Sequence, residues 1–246
     1  IAGEKAGIIK RGVPCVVGPQ QDDAAATIEA RAQALGAPLI AQGQQWHVGV
    51  DHGRLVFQDE TGLVDLPLPN LPGAHQVDNA GAALAALRQL GLPEQAQEAA
   101  VTRAQWPARM QKLRHGPLID AAPGAELWLD GGHTAAAGQA LGQHLGTLPA
   151  RPTHLVCGML NTKDIAGYLA PLAAQSASLT AVSIPGEANT LPAETTAAAA
   201  RKAGMQAHVA DSVLEAVERI VSSDPTARIL ICGSLYLAGG VLRENG

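Results

Sequence analysis

Residues 127–157 read LWLDGGHTAAAGQALGQHLGTLPARPTHLVC, and this stretch decides the fold class. Short apolar runs at Leu127–Asp130 and His154–Cys157 predict strands, and the Ala- and Leu-rich run Ala135–Leu148 predicts a helix between them. Parallel strands joined by a helix require a right-handed crossover. The alternation continues with strands predicted at Leu179–Ser183, Gln206–Val209 and Arg228–Cys232, and helices at Ile165–Ala174, Pro192–Ala203, Ser212–Ser222 and Leu235–Arg243. We therefore predict an α/β domain whose mostly parallel sheet is covered on both faces.

The first part of the chain has a different pattern. The segment Trp46–Leu68 consists of short apolar runs separated by Asp, Gly and Pro, which predicts a small antiparallel sheet. Around it we predict strands at Val13–Val17 and Ala37–Ala41, and helices at Asp22–Leu35, His75–Leu90 and Pro93–Ala104. Residues 106–126 lose this regularity and contain several Pro, Gly and Arg residues, so we predict a linker there. The chain begins at Ile1 in sequence typical of the middle of an element, and we expect it to be a truncated piece of a longer protein.

The composition limits the class of protein. Hydrophobic residues make up 47% and charged residues 16% of the 246 residues, which predicts packed cores and not disorder. A net charge of −5 and an aromatic content of 2% argue against a nucleic-acid partner. No apolar run reaches the ~18–20 residues of a membrane span, and no signal peptide opens the chain. Three widely separated cysteines in apolar surroundings predict reduced core residues, so we expect a cytoplasmic protein without a membrane partner.

Common active-site motifs are missing from the sequence. A phosphate-binding P-loop requires Gly-Lys followed by Ser or Thr, and none of the five lysines follows a glycine. The dinucleotide fingerprint GxGxxG and the hydrolase motifs HExxH and GxSxG are also absent. Because these general motifs are absent, they assign no activity to the chain.

Six local patterns, taken in order, carry a specific resemblance. They are EKAGIIK at residues 4–10, HQVDNA at 75–80, WPARM at 106–110, LDGGH at 129–133, GMLNTKD at 158–164 and CGSLY at 232–236. Together they resemble the folylpolyglutamate synthase/dihydrofolate synthase family, a branch of the Mur-ligase-like enzymes. The resemblance runs through the whole chain but covers only the later part of the family's pattern.

The resemblance implies a domain organisation and a reaction. Residues 1–105 would be a remnant of a Mur-ligase-type central ATPase domain without its P-loop, residues 106–126 an interdomain linker, and residues 127–246 a Rossmann-like glutamate ligase domain. The reaction would join L-glutamate to dihydropteroate or a reduced folate through an acyl phosphate, with ATP and Mg²⁺, in folate biosynthesis and one-carbon metabolism. We expect a monomer, and we expect this piece alone to be inactive.

Two alternatives stay open at this point. A peptidoglycan-precursor amino-acid ligase belongs to the same superfamily, although the GMLNTKD and CGSLY patterns favour the folate enzymes. A non-catalytic α/β binding module is favoured by the missing P-loop.

The resemblance assigns roles to three residues before the second domain. Lys5 would be a carbamylated catalytic lysine that helps to hold Mg²⁺, because a carbamate supplies the oxygen ligands that this ion prefers; the alternative is a surface lysine beside Glu4. The resemblance implies that the Asn79 amide meets the nucleotide base or its neighbourhood, and Asn is a poor helix former that needs a reason to lie in a helix; the alternative is a helix cap. Arg109 would bind the ATP phosphates through its planar fork of donors; the alternative is a solvated linker residue.

Three further residues follow predicted strands of the second domain. The resemblance implies that Asp130 binds the nucleotide at the ribose hydroxyls. Its position fits this role, since ligands of open parallel sheets bind at the carboxyl ends of strands. His133 would be a catalytic residue that holds glutamate or the phosphoryl group, and Ser234 would bind the glutamate substrate. Helix capping is the alternative for Asp130 and Ser234, and the alternative for His133 is a solvated or hydrogen-bonded loop histidine. The chain departs from the family after His133, where Thr134 and Ala135 stand in place of Asn-Pro.

Overall fold

The computed structural model describes residues 1–245, and the chain divides into two compact units between Gln105 and Trp106. The first unit contains the following elements: α1 (Ala2–Lys5), β1 (Cys15–Val17), α2 (Asp22–Leu35), β2 (Leu39–Ala41), β3 (Trp46–Asp51), β4 (Arg54–Asp59), β5 (Gly62–Leu66), α3 (His75–Gln89) and α4 (Glu94–Thr102). Strands β1 and β2 form a parallel pair, and β3, β4 and β5 form the predicted small antiparallel sheet.

The core of the first unit lies where helix α3 packs on the antiparallel sheet. Trp46 and Phe57 stack with ring centroids 5.9 Å apart and are fully buried. Helix α3 can lie close to the antiparallel sheet because position 81 is a glycine. A Cβ at that position would lie 2.6 Å from the Trp46 ring. The β3–β4 turn consists of His52 and Gly53, both with positive φ, which is the type I′ geometry that suits a two-residue hairpin.

The second unit contains a six-stranded sheet with helices on both faces. Its elements are β6 (Gln111–Lys112), α5 (Pro117–Ala121), β7 (Glu126–Leu129), α6 (Ala135–Thr147), β8 (Thr153–Cys157), α7 (Ile165–Leu169), β9 (Ser178–Ala181), α8 (Ala193–Lys202), β10 (Ala207–Val209), α9 (Val213–Ser223), β11 (Arg228–Cys232) and α10 (Leu235–Asn245). The strand order is β10-β9-β8-β11-β7-β6, and every pairing is parallel except β6 with β7. One apolar core lies between the sheet and α5, α9 and α10, and the other between the sheet and α6, α7 and α8. The predicted α/β class with a mostly parallel sheet is confirmed.

Two segments differ from the sequence prediction. Residues 106–126 are not an irregular linker, because they add the antiparallel edge strand β6 and helix α5 to the second unit. Helix α5 begins after Gly116, whose φ of 94° turns the chain, and Pro117 suits the first helical position because it has no N–H to leave unpaired. The helix predicted at Ile165–Ala174 ends early and continues as a tighter 3₁₀ segment at Ala170–Gln175, where Pro171 cannot donate an α-helical hydrogen bond.

Two of the three cysteines are core residues as predicted, whereas Cys15 is only partly buried. All three cysteines are free thiols, and Cys157 and Cys232 are fully buried on adjacent strands at paired positions. A hydrogen bond with Cys232 and burial together raise the pKa of the Cys157 thiol well above its ordinary value. Within residues 1–245, none of the helices is long and apolar enough to cross a membrane.

Candidate functional site

The carboxyl ends of β7 and β11, central neighbours in the sheet of the second unit, carry the polar loops of the candidate site. Asp130 directly follows β7 and is 5% exposed. Its Oδ1 accepts a hydrogen bond from the backbone N–H of Gly132 at 2.7 Å, and its Oδ2 accepts from the N–H of Met110 at 2.9 Å. Asp130 therefore joins the loop after β7 to the segment that carries Arg109.

Arg109 lies in an unusual stretch of backbone. Its neighbours Ala108 and Met110 have φ values of 54° and 41°, although neither is a glycine. Such conformations are costly, and they cluster at functional sites where surrounding contacts hold them. Here the N–H of Gly131 donates to the Ala108 carbonyl at 2.9 Å, and the Asp130 carboxylate holds the N–H of Met110. Both contacts hold the Arg109 backbone against the end of β7.

Gly131 allows Arg109 and the start of α10 to lie close to the loop after β7. A Cβ at Gly131 would stand 3.3 Å from Arg109 Nη1 and would collide with the Leu235 side chain. The Arg109 guanidinium also donates to the Ala108 carbonyl at 3.0 Å. The structure thus places Arg109, Asp130 and the start of α10 around Gly131.

The loop after β7 positions His133 and begins α6. His133 Nδ1 lies 3.0 Å from the Gly131 carbonyl, so Nδ1 carries the proton and a neutral ring leaves Nε2 as an acceptor. Thr134 replaces the family's Asn, and its hydroxyl accepts from the N–H of Ala137 at 3.2 Å. Thr134 is therefore the N-cap of α6, as its side chain allows.

Ser234 makes the contact of a helix-initiating residue. Its side chain is 2% exposed, and its Oγ accepts from the N–H of Tyr236 at 3.1 Å. The preceding Gly233 has a φ of 102°, and a Cβ there would lie 2.8 Å from Cys157 Sγ. In the same way, Asp164 caps α7 by accepting from the N–H of Gly167 at 2.9 Å.

Asn79 and Lys5 belong to the first unit. Helix α3 starts after Ala74 without a side-chain cap, so the capping alternative for Asn79 is wrong. Asn79 is exposed one turn into the helix, and its Nδ2 donates to Gln76 Oε1 at 3.0 Å. Lys5 is exposed at the last position of the four-residue helix α1, next to Glu4.

The described residues do not form a Mg²⁺ site by themselves. A carbamylated Lys5 would supply one anionic ligand, whereas Mg²⁺ takes octahedral coordination from carboxylates, waters and substrate phosphates. Over residues 1–245, no group of three or more His, Cys, Asp and Glu side chains is placed to hold a metal ion. A carbamylated Lys5 would therefore fit as one ligand, with waters and substrate phosphates completing the coordination.

A separate cavity of about 390 Å³ lies toward the amino-terminal ends of β8, β9 and β10. Its polar walls bond to one another: His154 Nδ1 lies 2.8 Å from Ser178 Oγ, and Arg219 pairs with Glu215 and donates to the Val209 carbonyl. Asp130 lies at the opposite ends of the strands, so this cavity is distinct from the candidate site.

Sequence reasoning missed several residues of these loops. Gln76 is a buried polar residue in α3, and its burial is a tertiary property that its position in the sequence does not reveal. The strained backbone at Ala108 and Met110 also has no signal in a motif. The adjacent Gly131 and Gly132 were the available clue, because paired glycines often mark a close approach of backbone to another group.

Comparisons with known proteins show which family this chain resembles. A family model described as "Dihydrofolate synthetase, C-terminal domain" matches residues 120–244, which is about half of the chain. A folylpolyglutamate synthase of Lacticaseibacillus casei is 31% identical, over 98% of this chain and 56% of the relative.

Solved structures of FolC and of a folylpolyglutamate synthase are similar to this chain over 98% of its length. Escherichia coli FolC in complex with DHPP and ADP is similar with a TM-score of 0.82 and 29% identity, over 98% of this chain and 55% of that one. Mycobacterium tuberculosis folylpolyglutamate synthase complexed with ADP and AMPPCP has a TM-score of 0.80 and 26% identity, over 98% and 58%. The chain thus spans a little more than half the length of these relatives. The family model, the sequence relative and the shared fold agree, and this chain belongs to the folylpolyglutamate synthase/dihydrofolate synthase family.

Proposed function

We propose that this chain is the later part of an ATP-dependent ligase that adds L-glutamate to dihydropteroate, to a reduced folate, or to both. The observation that carries the proposal is the cluster of Arg109 and Asp130 at the strand ends, in a fold similar to a FolC that binds DHPP and ADP. Residues 1–105 then correspond to the later part of the ATP-binding domain, and the glutamate ligase domain begins at Trp106, because residues 106–126 belong to its sheet. We further propose a cytoplasmic, monomeric enzyme.

The proposed reaction has two steps. A carboxylate oxygen of the pterin substrate attacks the γ-phosphorus of ATP, and ADP leaves, which produces an acyl phosphate. The glutamate nitrogen then attacks the acyl carbon, phosphate leaves, and the nitrogen loses a proton as the amide forms. Both steps depend on positioning and on stabilisation of phosphoryl charge more than on covalent help from the protein.

The chain's residues supply defined parts of this chemistry. Arg109 is the phosphate contact, because a guanidinium keeps its charge and offers paired donors to phosphate oxygens. Asp130 is the nucleotide contact that also fixes the Arg109 backbone. Asn79 contacts the base. His133, whose Nδ1 is held by the Gly131 carbonyl, presents Nε2 to the phosphoryl group or to glutamate. Ser234 is the glutamate contact of the proposal, and Lys5 is the candidate Mg²⁺ ligand.

The decisive experiment measures ligation by the natural gene product that contains this chain. ADP release should require ATP, Mg²⁺, L-glutamate and either dihydropteroate or tetrahydrofolate, and mass spectrometry should find the glutamylated product. Transfer to a peptidoglycan precursor, or nucleotide binding without turnover with any acceptor, would refute the proposal.

The isolated 246-residue chain provides a second test. Because its sequence has no Gly-Lys-Ser/Thr loop to hold the phosphates, we expect no glutamate-dependent ADP release from this polypeptide alone. Turnover by the purified chain would show that the phosphates are held without that loop. It would contradict the proposal that this chain carries only part of the active site.

A further inference from the structure

Three side chains at the start of α3 form a hydrogen-bonded series that ends at Asn79. Gln76 Nε2 lies 3.1 Å from His75 Nε2, and Gln76 Oε1 accepts from Asn79 Nδ2 at 3.0 Å. Gln76 is only 6% exposed, whereas Asn79 is exposed. A buried amide thus holds one end of an exposed amide.

The series determines which end of the Asn79 amide can meet a ligand. Gln76 Nε2 faces the His75 ring, and Gln76 Oε1 faces Asn79 Nδ2, from which it accepts a hydrogen bond. If Asn79 turned its amide over, its Oδ1 would face Gln76 Oε1, and two acceptors without a proton between them repel. Asn79 therefore presents Oδ1 and the second hydrogen of Nδ2 outward.

The neighbouring side chain of Asp78 does not compete with Gln76 as an acceptor for the Asn79 amide. Asp78 lies between Gln76 and Asn79 in the sequence, but its Oδ1 accepts from Gln42 Nε2 at 2.8 Å. The backbone N–H of Gln76 donates to the Gly73 carbonyl at 2.9 Å, which fixes the start of the turn. The acceptor that Asn79 meets within α3 is thus the Gln76 side chain.

An outward carbonyl beside an outward N–H matches one purine edge. Adenine presents its N6 amino group as a donor and N7 as an acceptor, and an Asn amide pairs with both. Guanine presents O6 and N7, which are both acceptors, so its O6 would face Asn79 Oδ1. With the amide fixed in this direction, guanine is rejected and adenine accepted.

We propose that Gln76 is a positioning residue that makes the nucleotide site select adenine over guanine, by fixing the orientation of the Asn79 amide. The inference rests on the proposed function in that Asn79 meets the base. It goes beyond that function because it assigns nucleotide selectivity to a buried residue that does not touch the nucleotide.

The test is the ratio of the Kd for GTP to the Kd for ATP, measured by isothermal titration calorimetry on the natural gene product. Gln76→Met keeps the unbranched shape but removes the acceptor, so the Asn79 amide can turn freely. We expect the ratio to fall about fivefold, the size of one ordinary hydrogen bond. Gln76→Glu keeps an oxygen facing Asn79 Nδ2 and should retain the wild-type ratio.

A matched control comes from the same unit. Gln97 is similarly buried, at 5% exposed, and donates to the Leu92 carbonyl at 2.9 Å without contacting Asn79. Gln97→Met should lower the thermal midpoint but leave the GTP:ATP ratio unchanged, which separates lost stability from lost selectivity.

The outcomes distinguish the two proposals. An unchanged ratio in a folded Gln76→Met protein, or an equal fall in Gln97→Met, would overturn the role of Gln76. A wild-type protein that binds GTP as tightly as ATP would overturn it as well. If selectivity responds to Gln76 as expected but no glutamate ligation occurs, the inference stands and the proposed reaction is wrong.

Discussion

The close packing of helix α6 on α7 and the 3₁₀ segment after it depends on two glycines one turn apart. A Cβ at Gly142 would lie 2.5 Å from the carbonyl oxygen of Pro171, and a Cβ at Gly138 would collide with the carbonyl of Tyr168. Both obstacles are backbone atoms, so no side-chain rotation relieves them. Gly142→Ala therefore requires α6 to move outward by about 1 Å, in a core that is packed like an organic crystal.

The expected loss of stability follows from two opposing effects. Overpacking a core costs about 1–3 kcal/mol, and a backbone obstacle belongs at the upper end of that range. Alanine in place of glycine in a helix interior returns about 1 kcal/mol. We expect Gly142→Ala to lower the free energy of unfolding by about 2 kcal/mol in consequence.

Gly146 is the matched control on the same helix, one turn further on. It is exposed, and a Cβ there would lie 3.6 Å from the flexible end of Gln175, an ordinary contact. Gly146→Ala should therefore raise stability by about 0.5–1 kcal/mol, from the helix preference alone. The same chemical change, four residues apart, should have opposite signs.

Urea denaturation followed by far-ultraviolet circular dichroism measures both variants against the wild type. The midpoint should fall for Gly142→Ala and rise for Gly146→Ala. If both variants are stabilised equally, the backbone of the 3₁₀ segment does not lie against α6, and the packing argument is refuted.

Two further predictions concern charged groups. Arg109→Ala in the natural gene product should lower kcat by a factor of about 100 with a thermal midpoint within ~2 °C of the wild type, since the lost contact would be to phosphoryl charge; an unchanged kcat would exclude the phosphate role. Arg88 pairs with Asp59 where both side chains are nearly buried. Burial raises the Asp59 pKa, but hydrogen bonds from Thr61 and the charge of Arg88 outweigh it and hold the pKa below its ordinary value. The ionised pair therefore stabilises the fold at neutral pH, and this contribution is lost as the pH falls below about 4. Arg88→Met should cost about 3 kcal/mol at pH 7 and flatten the loss of urea midpoint between pH 7 and pH 3, whereas an equally steep loss would place the acid sensitivity elsewhere.

Local pattern determined most of the fold. Apart from the early end of α7, apolar runs of strand length and Ala/Leu periodicity located the elements after residue 126 within one or two residues, because a core-facing strand or helix has to place apolar residues at its own period. Residues 106–126 escaped this reasoning. Strand β6 is two residues long and pairs through its backbone, and helix α5 has five residues, so neither is long enough to show a period.

For the candidate site, the sequence alone determined which residues belong to the family's motifs, because six local patterns follow one another in the family's order. Only the tertiary structure decided what their side chains contact. It showed that Asp130 accepts from the backbone N–H groups of Gly132 and Met110, that Ser234 and Asp164 begin helices, and that Gln76 holds the Asn79 amide. Hydrogen bonds of this kind join residues up to twenty positions apart, or depend on burial, and neither distance in space nor burial is encoded in a local motif.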